Sequence, residues 1–182
     1  LEASPMGTYQ GIIPVDFAGR AVDLEKFKAL AKQYNLWIIE DACHAPGGFF
    51  VDSNGVSQNC GNSNFADLAI FSFHPVKHIA SGEGGMITTN DEVLYKKMLA
   101  LRTHGITRDT TIFSNDMDFA AGQDHQTQYP AWYMEMQTLG FNYRLTDFQA
   151  ALGLSQLNRA DEGIVRRREI AAKYYNAFKA KS

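Results

Sequence analysis

Leu36-Trp37-Ile38-Ile39-Glu40-Asp41 decides the fold: an unbroken apolar run of strand length that stops at two carboxylates. Such a run bounded by turn signals reads as a buried strand. Just upstream, Asp23 is placed to cap a helix, and Leu24, Phe27, Leu30, Ala31 and Tyr34 follow at helical spacing. Asn35 is a natural stop. Further back, Ile12-Ile13-Pro14-Val15 reads as a short strand with its proline near an end, and Asp16–Arg20 as a loop. Strand, helix, strand is a βαβ unit, which predicts parallel strands joined by a right-handed crossover. Ligands of such sheets sit beyond the carboxyl ends of the strands, and Asp41 falls there.

Downstream, Leu68–Phe73 is a second apolar run, with Ser72 at its close. It leads into His74-Pro75-Val76-Lys77-His78-Ile79-Ala80-Ser81-Gly82-Glu83-Gly84-Gly85, and Met86–Thr89 then reads as another strand. Most other lysines lie among polar residues at helical spacing, but Lys77 lies between Val76 and Ile79, just past a strand. In apolar surroundings a lysine has a lowered pKa and serves as an amine nucleophile. The alternative is a stem lying on the core with its head in water.

Several ready-made motifs fail here. Ile87 occupies the third glycine position of a dinucleotide fingerprint, and no glycine-rich phosphate loop precedes Lys77. His74 and His78 have helical zinc-ligand spacing, but the glutamate beside the first is missing and Pro75 lies between them, so no metal is expected.

Elsewhere, Phe49–Val51 and Val56 flank the hairpin turn Asp52-Ser53-Asn54-Gly55, and residues 57–64 read as loop. Asn90 or Asp91 starts a helix through Arg102. From Thr103 to Leu139 periodicity is weak, as in a functional loop or a disordered segment. A buried helix is expected from Thr146, through Phe148, Leu152, Leu154 and Leu157. Another is expected from Asp161 to Phe178, with Arg166-Arg167-Arg168 on its solvated face.

The 182 residues, 45% hydrophobic and 20% charged, suit a globular domain with a real core. A net charge of −3 argues against nucleic acid as partner. No apolar run has the length of a membrane span, and no secretory signal pattern opens the chain. Cys43 and Cys60 form neither a metal-ligand pattern nor a disulfide framework, which fits a reducing, cytoplasmic setting. The first residue, Leu1, leads straight into an α/β pattern, as expected of an internal fragment.

Four motifs in order carry a resemblance: Glu40-Asp41-Ala42-Cys43-His44-Ala45, Phe71-Ser72-Phe73-His74-Pro75-Val76-Lys77, Gly82-Glu83-Gly84-Gly85 and Gly140-Phe141-Asn142-Tyr143-Arg144-Leu145-Thr146-Asp147. Together they resemble the DegT-type sugar-nucleotide aminotransferases, which carry pyridoxal 5′-phosphate (PLP). The resemblance implies an α/β, fold-type I PLP-dependent transferase (aspartate-aminotransferase-like). Residues 1–145 would be a partial large domain with a mostly parallel sheet, and residues 146–182 the first helices of a small C-terminal domain. A phosphate-gripping Gly-Thr loop and a ring-stacking aromatic would precede residue 1.

Carried over position by position, the resemblance makes Lys77 the Schiff-base lysine and proton shuttle. Asp41 matches the aspartate on the pyridine nitrogen, His44 a contact to the ring or its phenolic oxygen, and Ser72 a phosphate contact. Asn142 matches a residue that reaches the phosphate of the neighbouring subunit, so a homodimer with a shared active site is implied. A finer resemblance, through Phe73–Ile79, Arg102–Asp109 and Trp132–Gln137, is to the branch making precursors of pseudaminic acid. It implies glutamate as donor and a UDP-linked 4-keto-6-deoxy-N-acetylhexosamine as acceptor at C4. Arg108 and the 105–137 loop are candidates for holding substrate phosphate or lining the sugar site. Other readings are a PLP sugar dehydratase of the same fold, which replaces the lysine by histidine, and a non-catalytic fragment that keeps the fold and dimer surface.

Overall fold

The computed structural model describes residues 1–179. They fall into two units, Leu1–Asp91 with the chain from Leu145 onward, and Glu92–Arg144.

In the first unit, helix α1 (Leu24–Tyr34) begins where the Asp23 carboxylate accepts the Lys26 amide. It ends where Asn35 turns left-handed (φ 53°) and returns its N–H to the Ala31 carbonyl. Immediately afterwards the chain enters β2 (Trp37–Asp41). Ahead of α1, β1 is confined to Gly11–Ile12, shorter than the expected Ile12–Val15 strand. Pro14 lacks an N–H for the ladder, and beyond it only Val15 makes an isolated parallel bridge, to Asp41.

The sheet order is β1-β2-β5-β6, with β5 at Leu68–Ser72 and β6 at Gly85–Thr88. β1–β2 and β2–β5 are parallel, so the βαβ reading holds. β6 is antiparallel to β5, because residues 73–84 hold no helix that could carry the chain back across the sheet.

Ile38, fully buried, packs with Ala31 of α1 and Ala66, flanked by Phe27 and Leu36. Ile38→Ala is expected to cost about 2–5 kcal/mol, because it empties the contact between α1 and the sheet. Urea unfolding of the intact protein measures it, and a loss under about 1 kcal/mol would show that the cavity collapses.

The hairpin is longer than expected. β3 (Phe49–Val51) pairs with β4 (Ser57–Asn59), in what the polar sequence suggested was loop. Gln58, the buried residue of β4, receives the Asn62 and Asn64 amides and donates to Asp52. A side chain bonded on every side can be polar and still be buried.

Helix α4 (Asp147–Leu157) starts at a full capping box between Thr146 and Gln149. It is not buried as expected: Phe148 is 91% exposed, and Leu152, Leu154 and Leu157 are exposed as well. Periodicity reports that a helix has an apolar face, not that another element covers it. Helix α5 (Ala160–Lys179) follows, with Arg166, Arg167 and Arg168 exposed as expected and Arg166 paired to Glu169 at 2.7 Å.

The second unit opens with α2 (Glu92–Arg102), as read from the sequence. The weakly periodic region after it is ordered, through the short pair β7 (Ile106–Thr107) and β8 (Glu135–Met136) and helix α3 (Met117–Ala121). Its hub is the buried carboxylate of Glu135, which accepts from the Ser114 and Asn115 amides (2.6 and 3.0 Å), the Tyr133 hydroxyl (2.9 Å) and Gln137 Nε2 (3.0 Å). Burial raises the pKa of Glu135, but these bonds outweigh it and hold the group below its ordinary value. The rings of Phe113, Tyr129 and Tyr133 pack on one another beside it, with Tyr133 bonded to the carboxylate. A fold built on one polar hub leaves no periodic trace in the sequence.

A candidate active site at the carboxyl edge of the parallel strands

Asp41 closes β2 and pairs in register with Ile70, so its side chain stands at the carboxyl edge of the sheet. Its main chain is held on both sides, by the Pro14 carbonyl (2.9 Å) and the Asp16 amide (3.0 Å). Oδ1 accepts the Cys43 amide at 3.1 Å. On the adjacent parallel strand Ser72 closes β5, and its Oγ accepts the His74 amide at 3.3 Å. That leaves the hydroxyl hydrogen free to donate outward.

From Ser72 the chain enters a closed loop. The Phe73 amide donates to the Gly84 carbonyl (2.8 Å), and the Ser81 amide donates back to the Phe73 carbonyl (2.9 Å). Ser81 is buried, and its hydroxyl donates to the Glu83 carbonyl. The glycines are required for this closure. Gly84 has φ 146°, and a Cβ there would lie 2.6 Å from Leu145 Cδ1; at Gly85 it would lie 2.7 Å from the Phe71 carbonyl oxygen. Lys77 sits in the tight turn inside this loop, its amide on the His74 carbonyl (2.9 Å) and its side chain half-buried.

Electrostatics tie the lysine turn to the end of β2. Burial pushes the Cys43 thiol up to about 11, helped by its bond to Asp41 and that group's charge, while the positive charge of Lys77 opposes the rise. His78, next in sequence, is held below its ordinary pKa by burial and then by the charges of Arg167, His44 and Lys77. His44 presents Nδ1 to the Ala18 amide at 3.3 Å and lies 5.6 Å, centroid to centroid, from the Phe17 ring. Its Nε2 is therefore the nitrogen left for an outside partner.

Asp41, His44, Ser72 and Lys77 thus gather at one edge of the first unit, whereas Asn142 and Arg108 belong to the second. There Asn142 bridges Thr103 and, like Arg108, is exposed. His74 and His78 join no cluster of potential metal ligands among the described residues; His74 Nδ1 accepts the Val76 amide. Sequence reasoning missed the loop-closing role of Ser81. It also missed a buried group of Asp16, Glu40 and Cys60 on the interior side of the same strand ends. One signal for it was available: Glu40 shares its strand face with Ile38, where a carboxylate is out of place.

With this geometry in hand, comparison with known proteins is direct. Residues 5–182 match the DegT/DnrJ/EryC1/StrS aminotransferase family. The spore coat polysaccharide biosynthesis protein SpsC of Bacillus subtilis is 35% identical over 98% of this chain and 41% of its own length. The UDP-4-amino-4,6-dideoxy-N-acetyl-beta-L-altrosamine transaminase of Campylobacter jejuni is 38% identical over 90% of this chain and 36% of its own length. Helicobacter pylori PseC, an aminotransferase involved in the biosynthesis of pseudoaminic acid, superposes with a TM-score of 0.73 at 32% identity, over 93% of this chain and 38% of its own. The chain thus spans 36–41% of the length of these curated relatives. The α/β fold expected from the sequence, part of a PLP-dependent transferase, is shared with PseC and with a putative sugar aminotransferase of Streptococcus pneumoniae in its PLP form, which superposes with a TM-score of 0.68 at 29% identity over 93% of this chain and 41% of its own. The chain belongs to the DegT/DnrJ/EryC1/StrS aminotransferase family.

Proposed function

We propose that the protein carrying this chain moves an amino group onto a keto carbon of a nucleotide-linked sugar, with PLP as cofactor. One observation carries the reading: in a chain of this family a carboxylate and a hydroxyl (Asp41, Ser72) close neighbouring parallel strands, and an amine (Lys77) lies within electrostatic reach of Cys43 beside Asp41. That donor set fits PLP, whose aldehyde, ring nitrogen and phosphate call for those three groups.

Bound there, PLP would supply an electron sink that makes the carbon–hydrogen bond beside the transferred nitrogen acidic. Lys77 Nζ would hold the cofactor, then take the proton from the donor carbon and return one to the sugar carbon. Asp41 would accept the ring N–H and keep that nitrogen protonated, as an opposite charge in contact does. The Ser72 hydroxyl would donate to the phosphate, with Oγ oriented by the His74 amide. His44 would face the ring through Nε2, since Nδ1 is engaged.

In this reading Asn142 serves the phosphate of a neighbouring subunit in a homodimer, and Arg108 contacts substrate phosphate. Residues 1–145 are the partial cofactor domain, and 146–182 begin the small domain. Glutamate is the donor, and the name of the Campylobacter relative supports a UDP-linked 4-keto-6-deoxy-N-acetylhexosamine as acceptor, at C4. No helix among the described residues is long and apolar enough to cross a membrane, and the unpaired thiols support a place in the cytoplasm.

The intact protein is expected to turn yellow with PLP, to lose the colour on borohydride treatment and to carry the label on Lys77. A label on another residue, or no chromophore with PLP in excess, overturns the reading. UDP-4-keto sugars of both C5 configurations, offered with glutamate, identify the acceptor by which one becomes an amino sugar.

A further inference from the structure

In the interior of the first unit three side chains from separate segments converge: Asp16, Glu40 on β2, and Cys60 just after β4. One potential ligating atom from each lies within 4.8 Å of the others. Asp16 is 0% exposed and Glu40 1%. No lysine, arginine or histidine forms an ion pair with either carboxylate among the described residues. Asp16 Oδ1 accepts the Val22 amide at 2.8 Å, and both Glu40 oxygens accept the Gly61 amide at 3.0 Å. Asp16 Oδ2 is buried and has no hydrogen-bond partner. Two adjacent buried carboxylates with no cation cannot both be ionised, and an orphaned acceptor needs a hydrogen.

We propose that Asp16 and Glu40 hold one proton between them, and that this carboxyl–carboxylate pair is a positioning device for Asp41. With Glu40 protonated, its hydroxyl donates to Asp16 Oδ2, and the orphaned oxygen is satisfied. Burial pushes Glu40 up to about 7, against the Gly61 amide and with the help of Asp16's bond and charge. Cys60, the third group facing the pair, is pushed up by burial and then by the charge of Asp16, so it stays a thiol.

The link to Asp41 is short. Asp41 follows Glu40 in β2, and its main chain bonds to Pro14 and Asp16. The shared proton therefore ties the side chain of Asp16 to the strand whose last residue its own backbone already holds. Glu40 also fixes Gly61, whose left-handed turn (φ 81°) lies against the Phe71 ring of β5. Losing the proton sets two charges against each other and loosens the end of β2. The positioning half of this inference rests on the cofactor role of Asp41 proposed above.

The sign follows from linkage. The folded state holds Glu40's proton more tightly than the unfolded chain, where the group returns to its ordinary value of 4.5. The stabilisation is complete below that value and is lost as pH rises through about 7.

The test uses the intact protein, Glu40→Gln and Asp16→Asn. Either amide supplies the missing hydrogen permanently while keeping the other acceptors. In the wild type the unfolding constant, without cofactor, is expected to rise on the order of a hundredfold more between about pH 5 and pH 8.5 than in either variant. Difference infrared spectra at about pH 6 should show a protonated-carboxyl stretch that both variants lack. PLP affinity of the wild type, relative to Glu40→Gln, should fall by on the order of tenfold over the same range.

Absence of the stretch together with identical stability profiles overturns the shared proton. A constant affinity ratio, with the stretch present, overturns the positioning role. A rise in unfolding temperature with Zn²⁺ alone, abolished by Cys60→Ser, overturns the proposal in favour of a metal centre. If no protein binds PLP, the assignment of Asp41 falls and the positioning with it, while the stretch and the stability profiles still decide the shared proton.

Discussion

Replacing Lys77 with alanine is expected to abolish amino transfer and to leave the fold standing. The role proposed for Nζ is both to hold the cofactor and to carry the proton. Losing a positioned general base alone costs about 10²–10⁴ in rate, and losing the covalent hold adds to that. Stability should change by less than about 1 kcal/mol, because the half-buried side chain makes no hydrogen bond or ion pair recorded among the described residues. The turn keeps its Lys77 amide to His74 carbonyl bond whatever the side chain. Lys77→Arg separates charge from chemistry, since it keeps the cation but is never an amine nucleophile near neutral pH; it should be as inactive as the alanine variant. The checks are turnover of glutamate with the keto sugar, and circular dichroism with urea unfolding for the fold. Turnover retained by Lys77→Ala would mean that another amine does the work.

Asp41→Asn is expected to be the next most damaging change, even though it is nearly isosteric. An asparagine can still accept the Cys43 amide through Oδ1, so the turn after β2 survives. What it cannot do is hold a ring nitrogen in its protonated form, because it brings no negative charge. A hydrogen bond to a charged group contributes about 1.5–3 kcal/mol, so PLP affinity should fall roughly 10- to 150-fold. Turnover should fall by on the order of a hundredfold or more, since the electron sink weakens when the ring nitrogen is neutral. Acidifying the assay should recover part of the rate, as solution protons replace the missing charge. Cofactor titration followed by absorbance, and rates across pH, decide it. Wild-type turnover in Asp41→Asn would remove Asp41 from the site.

The parts of this protein legible in its sequence were those set by local rules. Asp23, the Leu24–Tyr34 spacing and Asn35 defined a helix to the residue, since caps and periodicity are properties of a few neighbours. The apolar runs ending at Asp41 and Ser72 were visible for the same reason, and the βαβ order put both residues on one edge. Local rules failed where long-range partners substitute for pattern. Residues 103–139 are ordered around the carboxylate of Glu135, which holds amides some twenty residues back along the chain, and Gln58 is buried in a strand because the side chains of Asn62 and Asn64 fold back onto it. Phe148 looked like core and is open, because amphipathicity says which face is apolar and nothing about what meets it.

The sequence alone determined the βαβ elements, their order and the candidate groups at their ends: an amine after one strand, a carboxylate at the end of another. Only the tertiary structure decided which groups share an environment. It set Lys77 within electrostatic reach of Cys43 beside Asp41, and it buried Asp16 against Glu40, residues 24 positions apart. Capping and periodicity act over a few residues of chain, whereas charge and hydrogen bonding act over a few ångströms of space, and only the folded chain relates the two distances.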